Sequence, residues 1–187
     1  MNSSERRHLL FLKASANSQR RNREILLASA TPSIAQMLES VSCIYIPESD
    51  PIISKFWFIR SSGIGRNKIC PANYIYTEVA YPIEALNIVK PILKNINPEK
   101  SCYLLLDEVS SICYDENRGY WITKYPIFVV KADRVQNMLE NLWSIANHCF
   151  AIVSDTYDCG MVIDSYSGYL ENDYNPDEIV YEVATWR

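Results

Sequence analysis

From Phe150 to Arg187 the chain carries Asp155, Asp158, Asp164, Glu171, Asp173, Asp177, Glu178 and Glu182 against Arg187 alone, a formal charge of −7. Tyr157, Tyr166, Tyr169, Tyr174, Tyr181 and Trp186 lie among those acids. A buried carboxylate without a partner is costly and tends to neutralise. The stretch therefore predicts a β-rich element with one core face and one acidic, aromatic face. Such a face suits a basic protein partner and repels nucleic acid. The candidate partner-binding residues are Asp155, Tyr157, Asp158, Asp164, Tyr166, Tyr169, Glu171, Asp173 and Tyr174. Their tyrosines would supply rigid contact area and their carboxylates would steer a surface rich in Lys and Arg. The same pattern also reads as a solvated sheet edge, where acids discourage edge-to-edge aggregation.

Other constellations are weaker. Asp155, Asp158 and Asp164 stand three and six apart with no closing Glu, which is not the alternating oxygen spacing of a calcium loop. Cysteines 43, 70, 102, 113, 149 and 159 form no CxxC and follow no zinc-ligand spacing, so they read as reduced thiols. His8 and His148 are the only histidines. His148 adjoins Cys149, but adjacent side chains do not face one another, so a Cys–His nucleophile would need a distant cysteine such as Cys70. Ser61–Lys68 is a glycine loop followed by two cations, without phosphate-loop spacing, and reads as a turn. Asp107-Glu108 follows an apolar strand, and no second carboxylate can be matched to it. No cofactor, metal site or catalytic residue is expected, and the chain reads as a binding protein.

These residues must be held by a fold of 187 residues, 48 % hydrophobic and net −4, enough for one domain with a substantial core. Residues 1–27 hold six cations against two acids and read as a basic N-terminal arm or helix; residues 28–187 read as a single domain. Thr31-Pro32 opens a helix carrying Ile34, Met37, Leu38 and Val41. Pro82 opens another, which Pro91 should kink or split, and Asp133–Asn147 has the best apolar stripe. Strands are expected at Cys43–Ile46, Lys55–Arg60, Tyr74–Tyr81, Cys102–Leu106, Pro126–Val130, Phe150–Val153, Met161–Ile163 and Ile179–Trp186. A hairpin is expected around Asp115–Arg118, and a polar loop from Tyr166 to Asp177. The result is an α+β fold, with a mixed or mainly antiparallel sheet and about three helices packed on one side of it. No run approaches the roughly 18 apolar residues of a membrane span, so a cytoplasmic protein without a membrane partner is expected.

In Phe150-Ala-Ile-Val-Ser, Gly160-Met-Val-Ile-Asp-Ser-Tyr and Asn175-Pro-Asp-Glu-Ile-Val-Tyr-Glu the last third of the chain resembles bacterial immunity proteins of polymorphic-toxin and contact-dependent growth-inhibition systems. That resemblance implies stoichiometric inhibition of a cognate toxin, often basic, by covering its active site. The basic N-terminal segment is a departure from it. The alternative is a nucleic-acid-associated regulatory protein using that segment, although its only aromatic is Phe11 and the acidic remainder would repel a polyanion.

Overall fold

The computed structural model describes residues 2–63, 73–107, 111–146, 149–170 and 173–187, the side chains at 62–63, 144, 167–170 and 173–178 excepted. In chain order the elements are α1 (Ser3–Ser29), α2 (Pro32–Glu39), β1 (Ser42–Ile44), α3 (Asp50–Gly63), β2 (Ile75–Val79), α4 (Pro82–Asn95), β3 (Ser101–Leu105), β4 (Cys113–Asp115), β5 (Tyr120–Ile122), β6 (Ile127–Lys131), α5 (Ala132–Ile145), β7 (Phe150–Ser154), β8 (Gly160–Leu170) and β9 (Asp173–Trp186). Seven strands form one antiparallel sheet in the order β1-β6-β3-β7-β8-β9-β2, and β4-β5 is a separate hairpin. The fold is α+β, with five helices among the described residues where about three were expected.

One added helix is the basic opening segment, whose start is fixed by a capping box between Asn2 and Glu5. The other corrects the strand expected at Lys55–Arg60. That segment lies in α3, because Ile53, Phe56 and Ile59 recur every third residue and all three are buried. Burying that stripe outweighs the β preference of Phe-Trp-Phe-Ile. Asp50 in the first turn, followed by Pro51, is a good helix start. Pro91 lies inside α4, which continues as one helix to Asn95 and buries Leu86, Val89 and Leu93.

The sheet is covered on both faces, where helices on one side were expected, because α3 adds a buried stripe to the second face. Leu86, Val89 and Leu93 of α4, Leu139 and Leu142 of α5 and Leu38 of α2 meet Leu104, Phe128, Ile152, Ile163 and Val183 on one side. On the other, Ile53, Phe56 and Ile59 of α3 meet Leu105, Ala151, Val153, Val162, Ala184 and Trp186. Successive strand residues point to opposite faces, so a strand covered on both sides is apolar throughout, as Phe150–Val153 is. Gly160 is the close approach in this second core: a Cβ there would collide with the buried Trp186 ring.

The polar loop expected from Tyr166 to Asp177 is instead mostly strand. Strand β7 pairs only with Gly160–Ile163 of β8, and β2 only with Tyr181–Thr185 of β9. Beyond those neighbours β8 and β9 continue as a two-stranded ribbon, through a register shift between Ser167 and Tyr169, to the pairs Tyr169↔Tyr174 and Leu170↔Asp173. Among the described residues no helix is long and apolar enough to cross a membrane.

Candidate functional site: a carboxylate row at the sheet edge

Register brings three acids side by side. Asp164 of β8 is opposite Glu182 of β9, and Glu182 is opposite Glu78 of β2. By strand alternation they share the face of Val162 and Ala184, against which α3 lies. Like charges directly opposite one another are unfavourable, so the row needs compensation. Arg60, from the last turn of α3, supplies part of it. Its Nη2 is 2.9 Å from Glu182 Oε2 and 3.5 Å from Asp164 Oδ2. The guanidinium also lies 5.2 Å from the centroid of the Trp57 ring, which helps hold it in place.

At the outer end the chemistry changes. Glu78 is exposed and, among the described residues, has no cation within ion-pair distance. The Tyr76 hydroxyl lies 2.7 Å from Glu182 Oε1 and 2.9 Å from Glu78 Oε1. A phenol has one proton, so it cannot fully satisfy both carboxylates. Burial first, then its bonds to Glu182 and Glu78, push the Tyr76 hydroxyl far above the ordinary tyrosine range. Tyr166 is raised as well, by burial and by the neighbouring Glu78 carboxylate. The row thus runs from a buried, ion-paired end at Asp164 to an exposed end at Glu78 that is framed by tyrosines and, among the described residues, lacks a cation.

The nine nominated residues do not form one face. Asp164 is buried and paired with Arg60, which corrects its reading as a docking acid. Tyr166 stands at the row. Asp155, Tyr157 and Asp158 occupy the turn before β8, about 25 Å from Tyr166 at roughly 3.3 Å per strand residue. Tyr157 is half-buried at φ 64°; its carbonyl accepts Trp186 Nε1–H at 3.1 Å, and its ring meets Tyr103 and the Lys55 ammonium. It fastens the turn to the core. Asp158 accepts from Ser154 Oγ at 2.6 Å and Thr156 Oγ1 at 2.7 Å, and those bonds hold its carboxyl below the usual range. Asp155 is exposed. Tyr169, Asp173 and Tyr174 sit at the end of the ribbon, and Glu171 lies outside the described residues.

Sequence reasoning missed Arg60, Tyr76, Glu78 and Glu182. The alternation of Tyr76 and Glu78 in an expected strand was a usable signal; Arg60 was lost with the misassigned strand. Asp107 is buried and accepts from the Lys124 and Tyr125 amides at 2.6 and 3.3 Å, anchoring the chain between β5 and β6. Burial pushes the Cys102 thiol up to about 12, which keeps it unreactive. Cys70, Glu108, His148 and the Ile64–Lys68 part of the glycine loop lie outside the described residues. Among the described residues no group of three His, Cys, Asp or Glu is placed to hold a metal ion. In the basic helix, Arg20 lies over the Tyr45 ring and Arg23 Nη2 bonds the Leu38 carbonyl, so these two cations are engaged within the fold.

A two-faced antiparallel sheet ending in a carboxylate–tyrosine row defines an α+β protein with one chemically distinctive edge. The family model of the YokC prophage protein matches residues 1–185, and the chain belongs to that family. It is similar to the SPbeta prophage-derived uncharacterized protein YokC of Bacillus subtilis (strain 168), 25 % identical over 182 residues and covering 97 % of each chain. No solved structure matches it.

Proposed function

We propose that this protein is an inhibitory binding protein of the immunity type, which neutralises a basic protein partner through the outer end of the carboxylate row. The observation that carries the reading is Glu78. It is directly opposite Glu182, is exposed, and has no cation among the described residues. A like-charge pair left open at an accessible edge costs stability, and an incoming Lys or Arg removes that cost. Tyr76 and Tyr166 add aromatic contact area of the kind that carries interface energy. The engagement of Arg20 and Arg23 within the fold favours this acidic edge over the basic helix as the binding surface.

The test is titration calorimetry against candidate basic toxins. Glu78→Lys is expected to weaken binding at least tenfold, and raised salt to weaken the wild-type complex. Affinity unchanged by both would refute the reading.

A further inference from the structure

Strand β2 is the last strand of the sheet. Its inner side is fully used by β9, from Ile75↔Thr185 to Val79↔Tyr181. Its outer row of backbone N–H and C=O groups has no ladder partner among the described residues. Natural edges are usually blunted by proline, lysine, a bulge or a covering segment. Here the five residues are Ile-Tyr-Thr-Glu-Val, with Ile75 57 % and Tyr76 36 % exposed. Glu78 is the one charge on this edge, and it ends the row that begins at Asp164.

We propose that the partner engages as an extended strand added to the outer edge of β2, with a Lys or Arg directly opposite Glu78. This rests on the immunity-type reading above and names how that partner binds. Adjacent strands lie about 4.8 Å apart, so the added cation falls at the next position of the row, where Glu78 has none among the described residues. Main-chain bonds then supply affinity, and the alternating side chains supply selectivity. Apolar β-branched residues opposite Ile75 and Val79 would complete the face away from Glu78. A second copy of this chain fits less well. An antiparallel β2–β2 pair centred on Thr77 would set Tyr76 opposite Glu78, bring two acidic rows together and add no cation.

The probe is a peptide, acetyl-Thr-Val-Arg-Thr-Thr-Val-Thr-amide, whose central five residues oppose Val79 to Ile75 in an antiparallel pairing. It is compared with the same peptide carrying Glu for Arg, and with one N-methylated at the residues whose amides would face β2. Binding to the full chain is read by fluorescence anisotropy, and amide protection at residues 75–79 by hydrogen exchange. The Arg peptide is expected to bind at least tenfold more tightly than the Glu peptide, and Glu78→Lys to reverse that order. N-methylation is expected to weaken binding at least tenfold, and the unmethylated peptide to protect β2 amides. Equal binding of the N-methylated peptide would overturn strand addition while leaving the acidic-edge reading intact. Indifference to the peptide's charge would refute both. Sedimentation showing a dimer that the peptide dissociates would make a second copy the occupant and overturn the proposal.

Discussion

At one end the sheet finishes in β1, three residues long, and at the other in β2, five residues long, and the two are treated oppositely. Helix α1 is fastened to the segment that follows β1. Its buried Gln19 accepts the Ile46 amide at 3.0 Å and donates to Thr123 Oγ1 at 2.7 Å and the Tyr125 carbonyl at 3.2 Å. Arg20 covers Tyr45, and Pro47, which has no N–H, ends the segment. Strand β2 has no such cover among the described residues and carries the exposed end of an acidic row. The basic helix is thus tied to the segment that leaves one edge strand, while the other edge strand carries the acidic row. A charged segment can serve stability at one edge and recognition at the other, depending on what lies across from it.

The largest effect expected at the β2 edge follows from removing Arg60, the cation paired with the row among the described residues. Arg60→Ala removes the cation shared by buried Asp164 and half-buried Glu182 and should cost about 3 kcal/mol, read from the urea midpoint. Arg60→Met combined with Asp164→Leu should recover most of that loss. A cost under about 1 kcal/mol for Arg60→Ala would show that the row is not held through this pair.

At the β1 edge, Gln19→Leu removes three hydrogen bonds and strands the Ile46 amide and the Thr123 hydroxyl. The expected loss is about 2 kcal/mol by the same measurement, with no change in peptide binding at β2.

Alkali should separate the edges further. Tyr76, Tyr166 and Tyr45 all have raised values in the fold, so their stabilising contribution is complete below the ordinary tyrosine value near 10 and is lost as pH rises beyond it. Melting temperature should therefore fall above about pH 10. Tyr76→Phe should flatten that fall more than Tyr45→Phe; equal slopes would contradict the two-carboxylate environment of Tyr76.

The smallest effect is expected at Ile75. Ile75→Lys should change stability by less than about 0.5 kcal/mol, since the side chain is largely exposed, yet should weaken the Arg peptide. At β1, Ile44→Lys should cost more, because Ile44 is packed against the α3 core.

Segments whose apolar positions follow one period were legible in the sequence. The stripe through Val135, Leu139 and Leu142 became α5, the continuous run Phe150–Val153 became β7, and the turn at Asp115–Arg118 joins β4 to β5. Helix α3 was misread because Phe, Trp and Ile favour strands locally, whereas the buried spacing of Ile53, Phe56 and Ile59 is helical. The ribbon was misread as a loop because its residues are polar and Pro176 interrupts the pattern, although backbone pairing resumes beyond it at Tyr169↔Tyr174. Of the nominated site residues only Asp164 and Tyr166 belong to the row, Asp164 as its buried end.

By itself the sequence determined the antiparallel-leaning α+β class, the apolar runs that became strands such as Phe150–Val153, and the concentration of acid toward the C-terminus, because composition and apolar period are local properties. Only the tertiary structure decided which acids are neighbours. Tyr76 and Glu182 are 106 residues apart in the chain, and their meeting is set by the register of β2 on β9. That register is fixed by burying Val183 on one face and Ala184 and Trp186 on the other; the carboxylates are carried along with it.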